Sequence, residues 1–201
     1  HYLFLGDASA ASPWPTLHGS VGAIVTTFLV IPIVSKMAQK YGKKETFIVS
    51  QSISIIGYIL FWFLFIPGKP YMFLFALPFF SFGIGGLFTL MMSMTADTCD
   101  YEELENGLPR KEGSFGAIYW WMVKLGTALA GLLSGLIMYY VGFSADAASQ
   151  PDGALTGLRI AYSTIPIIGT LIAIYVMSDY EINENMAKEI RTQLNERKGE
   201  M

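Results

Sequence analysis

The sequence is poor in charge, cysteine and histidine, and each shortage excludes a class of function. Only 14% of the 201 residues are charged, and the net charge of −3 includes no basic patch, which argues against a nucleic-acid partner. Cys99 is the single cysteine, so an internal disulfide is excluded. His1 and His18 stand far from it in the chain, so the sequence predicts no metal site.

Apolar residues are abundant. They make up 53% of the chain, and the mean hydropathy is +0.45. A soluble domain of this length needs more charge to cover its surface, so lipid is the expected solvent. The opening residues HYLFLGDASAASPWP contain no basic segment and no clean apolar one, unlike a signal peptide. Because the chain begins with His1, we expect a fragment that starts inside a longer protein.

Five apolar runs are long enough to cross a bilayer, which takes about 20 residues in helical form. Inside lipid every backbone amide needs an internal partner, so helices are the expected conformation. The sequence therefore predicts an all-α membrane protein with a transmembrane bundle over 1–178 and a lipid bilayer around it. The predicted spans are 17–37, 46–66, 71–95, 115–141 and 155–178.

Lysine and arginine collect on one side of these spans, with only Lys69 and Arg159 on the other. Because positive charge favours the cytoplasmic side, we expect the first residues outside and the C-terminus in the cytoplasm. The segment 179–201 is polar with an apolar stripe, so we expect an amphipathic helix along the cytoplasmic surface. The basic residues are Lys36, Lys40, Lys43, Lys44, Arg110, Lys111, Lys188, Arg191, Arg197 and Lys198, and the stripe is Ile182, Met186, Ile190 and Leu194.

Proline and small residues predict bends and close helix contacts. Pro78 and Pro166 lie inside predicted spans, where the missing amide donor favours a kink. A glycine-rich stretch after Pro78 predicts close packing or bending in the third span. The fourth span has small residues at four-residue spacing, which favour a contact with another helix over a lipid-facing surface. The first set is Gly83, Gly85 and Gly86. The second set, which we call the small-residue ridge, is Gly126, Ala130 and Ser134, with Thr127, Gly131 and Gly135 one position on.

Lys124 is the most informative residue, because it lies about 15 Å deep, near the bilayer midplane. A lysine there costs several kcal/mol unless it faces water, a carboxylate or a polar ligand. Trp120 lies one turn earlier and Tyr119 beside it, and aromatic rings next to a cation in a cavity suit a sugar. A structural ion pair for Lys124 and an interfacial aromatic belt for the rings are the alternatives.

Most of the acidic residues outside the tail lie between the third and fourth spans. A mixed-charge turn on the cytoplasmic face can form ion pairs that open and close as helices move. The alternative interpretation is a run of charged residues that is simply exposed to solvent. No water-excluding cleft, activated nucleophile or cofactor loop accompanies these carboxylates, so we expect a protein that is not an enzyme and holds no cofactor. The cluster comprises Asp97, Asp100, Glu102, Glu103, Glu105, Arg110, Lys111 and Glu112.

The order of residues in this cluster is distinctive. The run ADTCDYEELENGLPRKEG at 96–113 resembles the A-D-x-x-D-Y-x-E-x-x-x-G-x-R-x-E-G motif of the glycoside–pentoside–hexuronide:cation symporters, with an extra residue or two around 103–108. The runs KMAQKYGKK at 36–44 and MVKLG at 122–126 also look like segments of that family. Its members are sodium- or proton-coupled sugar transporters of the major facilitator superfamily.

The resemblance implies a partial major facilitator fold, with the five spans equivalent to helices 8–12 of twelve. It implies a bacterial inner membrane, a sugar as the small-molecule partner, and missing N-terminal helices that hold the site for sodium or a proton. Lys124, Trp120, Tyr119 and Phe88 match positions that line or adjoin the family's sugar cavity. The residues matching the loop motif, whose implied role is gating, are Asp97, Asp100, Tyr101, Glu102, Arg110 and Glu112.

Two other functions fit the same sequence. Lysolipid symporters share this branch of the superfamily, and their wide substrate pocket would open sideways to the membrane. A membrane scaffold or subunit without transport activity would show no substrate-dependent quenching of Trp120 fluorescence.

Overall fold

Five helices, each long and apolar enough to cross a membrane, make up most of the chain. The computed structural model describes residues 7–107, 109–144, 147, 150–151 and 153–199, and no strand occurs among them. The predicted all-α fold with five transmembrane helices is therefore confirmed. The α-helices are α1 (Ala8–Ala11), α2 (Trp14–Val25), α3 (Ile31–Tyr41), α4 (Lys43–Leu64), α5 (Leu77–Asn106), α6 (Glu112–Tyr140), α7 (Ala154–Ser178) and α8 (Glu184–Lys198).

The first span combines α2 and α3, joined by a π-helical turn at Thr26–Val30. Pro32 follows this turn and has no N–H to donate to the carbonyl four residues earlier. A π-helical turn is one of the ways in which a helix accommodates such a break in its hydrogen bonds. The sequence analysis did not predict this irregularity.

The third span begins with a 3-10 helix, Pro70–Ala76, which leads into α5. Pro78 is therefore in the first turn of α5, where a missing N–H costs no helical hydrogen bond. The kink expected from a missing hydrogen bond at Pro78 stays a prediction, and the structure shows a change from 3-10 to α-helix beside it. Pro166 does lie inside a helix, and α7 continues past it to Ser178.

Glycines bring α4 and α5 into close contact. A Cβ atom on Gly86 would lie 2.7 Å from the Ser50 Cβ, and one on Gly83 would lie 2.6 Å from the Ser54 Cβ. The Gln51 side-chain amide also donates a 2.9 Å hydrogen bond to the Gly83 carbonyl. The close packing predicted for the middle of the third span is confirmed.

The charged run after residue 95 continues α5 instead of forming a turn. The Thr95 and Thr98 hydroxyls donate to carbonyls one turn earlier, and the helix ends only where Gly107 adopts a left-handed φ of 65°. Hydropathy falls after residue 95, although the helical hydrogen bonding continues to Asn106. The prediction of a turn is therefore wrong up to Asn106 and correct only for the short connector before α6.

The polar tail folds into α8, whose apolar side packs against the end of α5. The Asn183 side chain accepts a 2.9 Å hydrogen bond from the Met186 N–H and caps the helix. Ile190 and Leu194 of the predicted stripe are buried. We call the end of the bundle where α8 lies the basic end, because most of the lysines and arginines are there.

The fourth span, α6, contrasts with the others, since no residue within Glu112–Tyr140 is buried. Gly126, Gly131 and Gly135 have no atom of the described chain within 4 Å of where a Cβ would stand. The contact predicted for this ridge with another helix therefore stays a prediction, and such a helix would have to come from outside the described residues.

Candidate substrate face and charge network

Lys124 lies near the middle of α6, about 18 Å along the axis from Glu112. Its side chain is exposed, and no carboxylate of the described residues lies within 4.0 Å of its amine. Trp120 lies one turn earlier on the same face and is 48% exposed. The structure thus leaves a cation and an aromatic ring uncovered near the middle of a helix long enough to cross a membrane.

A small cavity of about 100 Å³ separates α6 from α5 beside these residues. Tyr119 and Trp120 line it from α6, and their rings meet edge to face at 5.3 Å. The opposite wall belongs to α5 and includes Met92, Thr95 and Cys99. Sequence reasoning missed these three residues, although their spacing places them on one face of a helix.

Phe88 is 40% exposed and lies one turn before Met92 on α5. The cavity therefore brings together two of the four predicted substrate residues, Tyr119 and Trp120, but is not lined by Phe88 or Lys124. Those two lie on the exposed surfaces of α5 and α6 that flank it.

A network of ion pairs organises the basic end around Asp97, which is only 4% exposed. The Lys43 amine, at the start of α4, pairs with one carboxylate oxygen, and Arg191 of α8 donates to the other at 2.9 Å. A buried carboxylate is stable when it is paired and hydrogen-bonded in this way. Asp97 therefore joins the beginning of α4, the end of α5 and the tail helix.

Four further acidic residues of the run 96–113 have a basic partner: Asp100, Glu102, Glu103 and Glu112. Arg110 lies 3.4 Å from Asp100 and 3.7 Å from Glu112. Lys111 pairs with Glu102 across the short connector before α6. Another contact joins the tail, since the Lys198 amine lies 3.0 Å from Glu103. Tyr101, the last motif residue, is half-buried on α5.

Lys44 ties the end of α7 into the same region. Its amine donates to the Ser178 carbonyl at 2.6 Å and to the Tyr180 carbonyl at 3.0 Å. Burial raises the pKa of the Tyr180 phenol to about 12, with the Asp97 carboxylate adding to the rise. Sequence reasoning identified the acidic half of the network but not its partners Lys43, Arg191 and Lys198, which are distant in the chain.

The opposite end of the bundle contains a larger cavity of about 610 Å³ that the sequence did not predict. Its walls are mostly aromatic and come from α2, α4, the 3-10 helix and α7. Arg159 at its edge donates to the Trp62 carbonyl at 2.6 Å and lies 4.6 Å above the Trp62 ring. His18 stacks on Phe80 with a centroid distance of 5.8 Å. No predicted site residue lines this cavity.

Among the residues that the structure describes, no candidate metal site is found. No group of three histidine, cysteine, aspartate or glutamate side chains is placed there to hold a metal ion.

A family model described as MFS/sugar transport protein matches residues 3–184. The chain belongs to this family. The resemblance to the glycoside–pentoside–hexuronide:cation symporters is likewise confirmed, because the similar curated proteins include transporters and symporters of glycosides and sugars. The chain is thus part of a multi-pass membrane protein of the major facilitator superfamily.

Three relatives illustrate the match. The chain is 29% identical to the glucuronide carrier protein homolog of Escherichia coli K12 over 175 residues, which cover 87% of this chain and 38% of the relative. It is 30% identical to a putative sulfoquinovose importer of the same organism, with 89% and 37% covered. It is 26% identical to the isoprimeverose transporter of Lactiplantibacillus pentosus, with 82% and 34% covered. No solved structure matches. The chain therefore spans less than two fifths of these relatives' length.

Proposed function

We propose that the chain is the C-terminal part of a cation-coupled sugar symporter that works by alternating access. The observation that carries the proposal is the exposed Lys124 beside Trp120, halfway along an α6 that the described chain does not bury. In a family of sugar transporters, an uncovered cation at this depth is explained by a substrate or a carboxylate across a central cavity. The remaining helices of the full-length protein would close this cavity and hold the sodium or proton site.

Each of the four predicted substrate residues has a defined role in this mechanism. Lys124 donates hydrogen bonds to sugar oxygens, Trp120 stacks against the C–H face of the ring, and Phe88 and Tyr119 shape the pocket beside it. A sugar acid would gain a charge-assisted hydrogen bond from Lys124. The names of two relatives, a glucuronide carrier homolog and a sulfoquinovose importer, refer to sugars with an anionic group. We therefore propose a hexuronide or another acidic glycoside as the preferred substrate.

The ion pairs at the basic end have a conformational role. They join α4, α5 and α8 when the cytoplasmic side is closed, and they must separate when the substrate leaves on that side. Binding of the cation and the sugar would shift the equilibrium between these two states, which is the thermodynamic basis of coupling. We place the basic end in the cytoplasm and the first residues outside, in the plasma membrane of a bacterium.

The test is sugar uptake into proteoliposomes by the full-length protein. Lys124→Gln should lower uptake of an acidic glycoside by roughly tenfold to a hundredfold, the value of a hydrogen bond to a charged group. Uptake of a neutral pentoside should fall less. Lys69→Gln, an exposed lysine at the opposite end of the bundle, serves as the matched control. Unchanged uptake and ion coupling in Lys124→Gln would refute the assignment, and competition by lysolipid instead of sugar would refute the substrate class.

A further inference from the structure

The first span has an exposed stripe that changes from apolar to basic along its length. Phe28 and Leu29 are 78% and 49% exposed, and Ile33 one turn later is also exposed. Lys36 and Lys40 follow at three- and four-residue steps, so they continue the face of Ile33 towards the basic end. The apolar part extends roughly 10 Å along the axis before the first lysine.

The four lysines around the end of α3 differ in whether they have a partner within the described chain. Lys43 pairs with the buried Asp97, and Lys44 donates to backbone carbonyls at the end of α7. Lys36 and Lys40 are exposed instead, and in the described ranges neither has a carboxylate within 4.0 Å. Their charge is therefore available to a partner outside the described chain.

Tyr41 completes the pattern at the last residue of α3. It is 58% exposed, and the Lys40 amine lies 4.9 Å from the centre of its ring. Tyrosine is enriched where a helix crosses from hydrocarbon to headgroups, because its ring is apolar and its hydroxyl is polar. The stripe therefore offers an apolar surface, then an interfacial ring, then two positive charges.

We infer that this stripe binds an anionic phospholipid, with the phosphate between Lys36 and Lys40 and the acyl chains along Phe28, Leu29 and Ile33. A lipid phosphodiester matches both the charge and the position of the two amines, and no soluble anion would use the apolar part of the stripe. The inference rests on the proposed cytoplasmic orientation of the basic end but not on the identity of the transported solute.

The experiment measures binding of phosphatidylglycerol to the full-length protein in nanodiscs made mostly of phosphatidylcholine. Native mass spectrometry reports how many phosphatidylglycerol molecules remain bound. Each lysine near an anionic lipid contributes about fivefold in affinity, so Lys36→Gln with Lys40→Gln should weaken one bound site roughly 25-fold. Lys188→Gln, an exposed lysine of α8 at the same end of the bundle, is the matched control and should retain that site.

A photoreactive side chain at Phe28 or Ile33 separates lipid from protein as the occupant. Crosslinks to phosphatidylglycerol, lost in the double lysine variant, would support the inference. Crosslinks to another part of the polypeptide, or equal retention of phosphatidylglycerol by the double variant and the control, would overturn it. Because neither readout involves transport, both stay informative if the proposed substrate is wrong.

Discussion

Asp97 should be the residue of the charge network on which the stability of the basic end depends most. Its carboxylate is 4% exposed, and Lys43 beside it is only 15% exposed. Asp97→Asn preserves the shape of the side chain but leaves the Lys43 amine without its counter-charge in a largely buried position. Arg191 loses a partner too, but its side chain is 47% exposed and can be hydrated.

The magnitudes follow from this difference in exposure. Removing one member of a buried ion pair typically costs about 3–5 kcal/mol, because a buried charge is left uncompensated. An exposed pair contributes about 1 kcal/mol or less. We therefore expect Asp97→Asn to lower the free energy of unfolding by about 3 kcal/mol or more. Most of this loss should be coupled to Lys43 and little of it to Arg191.

The assay is a pair of double-mutant cycles measured by reversible unfolding of the full-length protein in detergent. One cycle combines Asp97→Asn with Lys43→Gln, and the other combines it with Arg191→Gln. The exposed pair Lys188–Glu184, whose charged atoms are 3.8 Å apart, gives the baseline. Equal coupling energies of Asp97 with Arg191 and with Lys43 would show that burial does not govern this network. So would an Asp97→Asn variant whose loss of unfolding free energy is no larger than the baseline.

Two further predictions test helix packing and ionisation. Gly86→Ala should destabilise the full-length protein by about 1–3 kcal/mol in the same unfolding assay, because the new Cβ would lie 2.7 Å from the Ser50 Cβ. Gly113→Ala is the control. It has open space around it and should be neutral or slightly stabilising. Since the pKa of Tyr180 is raised to about 12, the folded state binds a proton more tightly than the unfolded state, and stability should fall as the pH rises from about 10 towards 12. Tyr180→Phe should flatten this slope, and phenolate absorbance should show no late-titrating group in the variant.

Hydropathy and small residues predicted the helices and one of their contacts well. Five apolar runs gave five membrane-length helices, because lipid permits few other conformations. Gly83 and Gly86 predicted close packing or bending in the third span, and the structure shows that α4 is the partner, because only a residue without Cβ fits there. Local irregularities were harder to predict, since the 3-10 start of the third span and the π-helical turn depend on how Pro78 and Pro32 fit their surroundings.

The partners within the charge network could not be predicted from the sequence. Asp97 and Arg191 are separated by 94 positions, and nothing in the local pattern distinguishes Arg191 from the other basic residues of the tail. The pairing became visible only when α5 proved to continue past the apolar layer and to offer its acidic face to α8. The sequence thus predicted that the acidic residues form a site. Their basic partners could be identified only from the folded structure.

The contrast between α5 and α6 indicates where the proposed substrate site would be completed. α5 has buried residues along its whole length, including Asp97, whereas α6 has none. An α6 surrounded by lipid would leave Lys124 unpaired near the midplane, at a cost of several kcal/mol. The small residues of the ridge, which include Gly131, would also have no advantage over leucine if they faced lipid. Both costs disappear if the uncovered face of α6 meets a polar cavity and another helix of the full-length protein. Lys124 and Trp120, which are proposed to touch sugar, are therefore residues that the described chain leaves exposed.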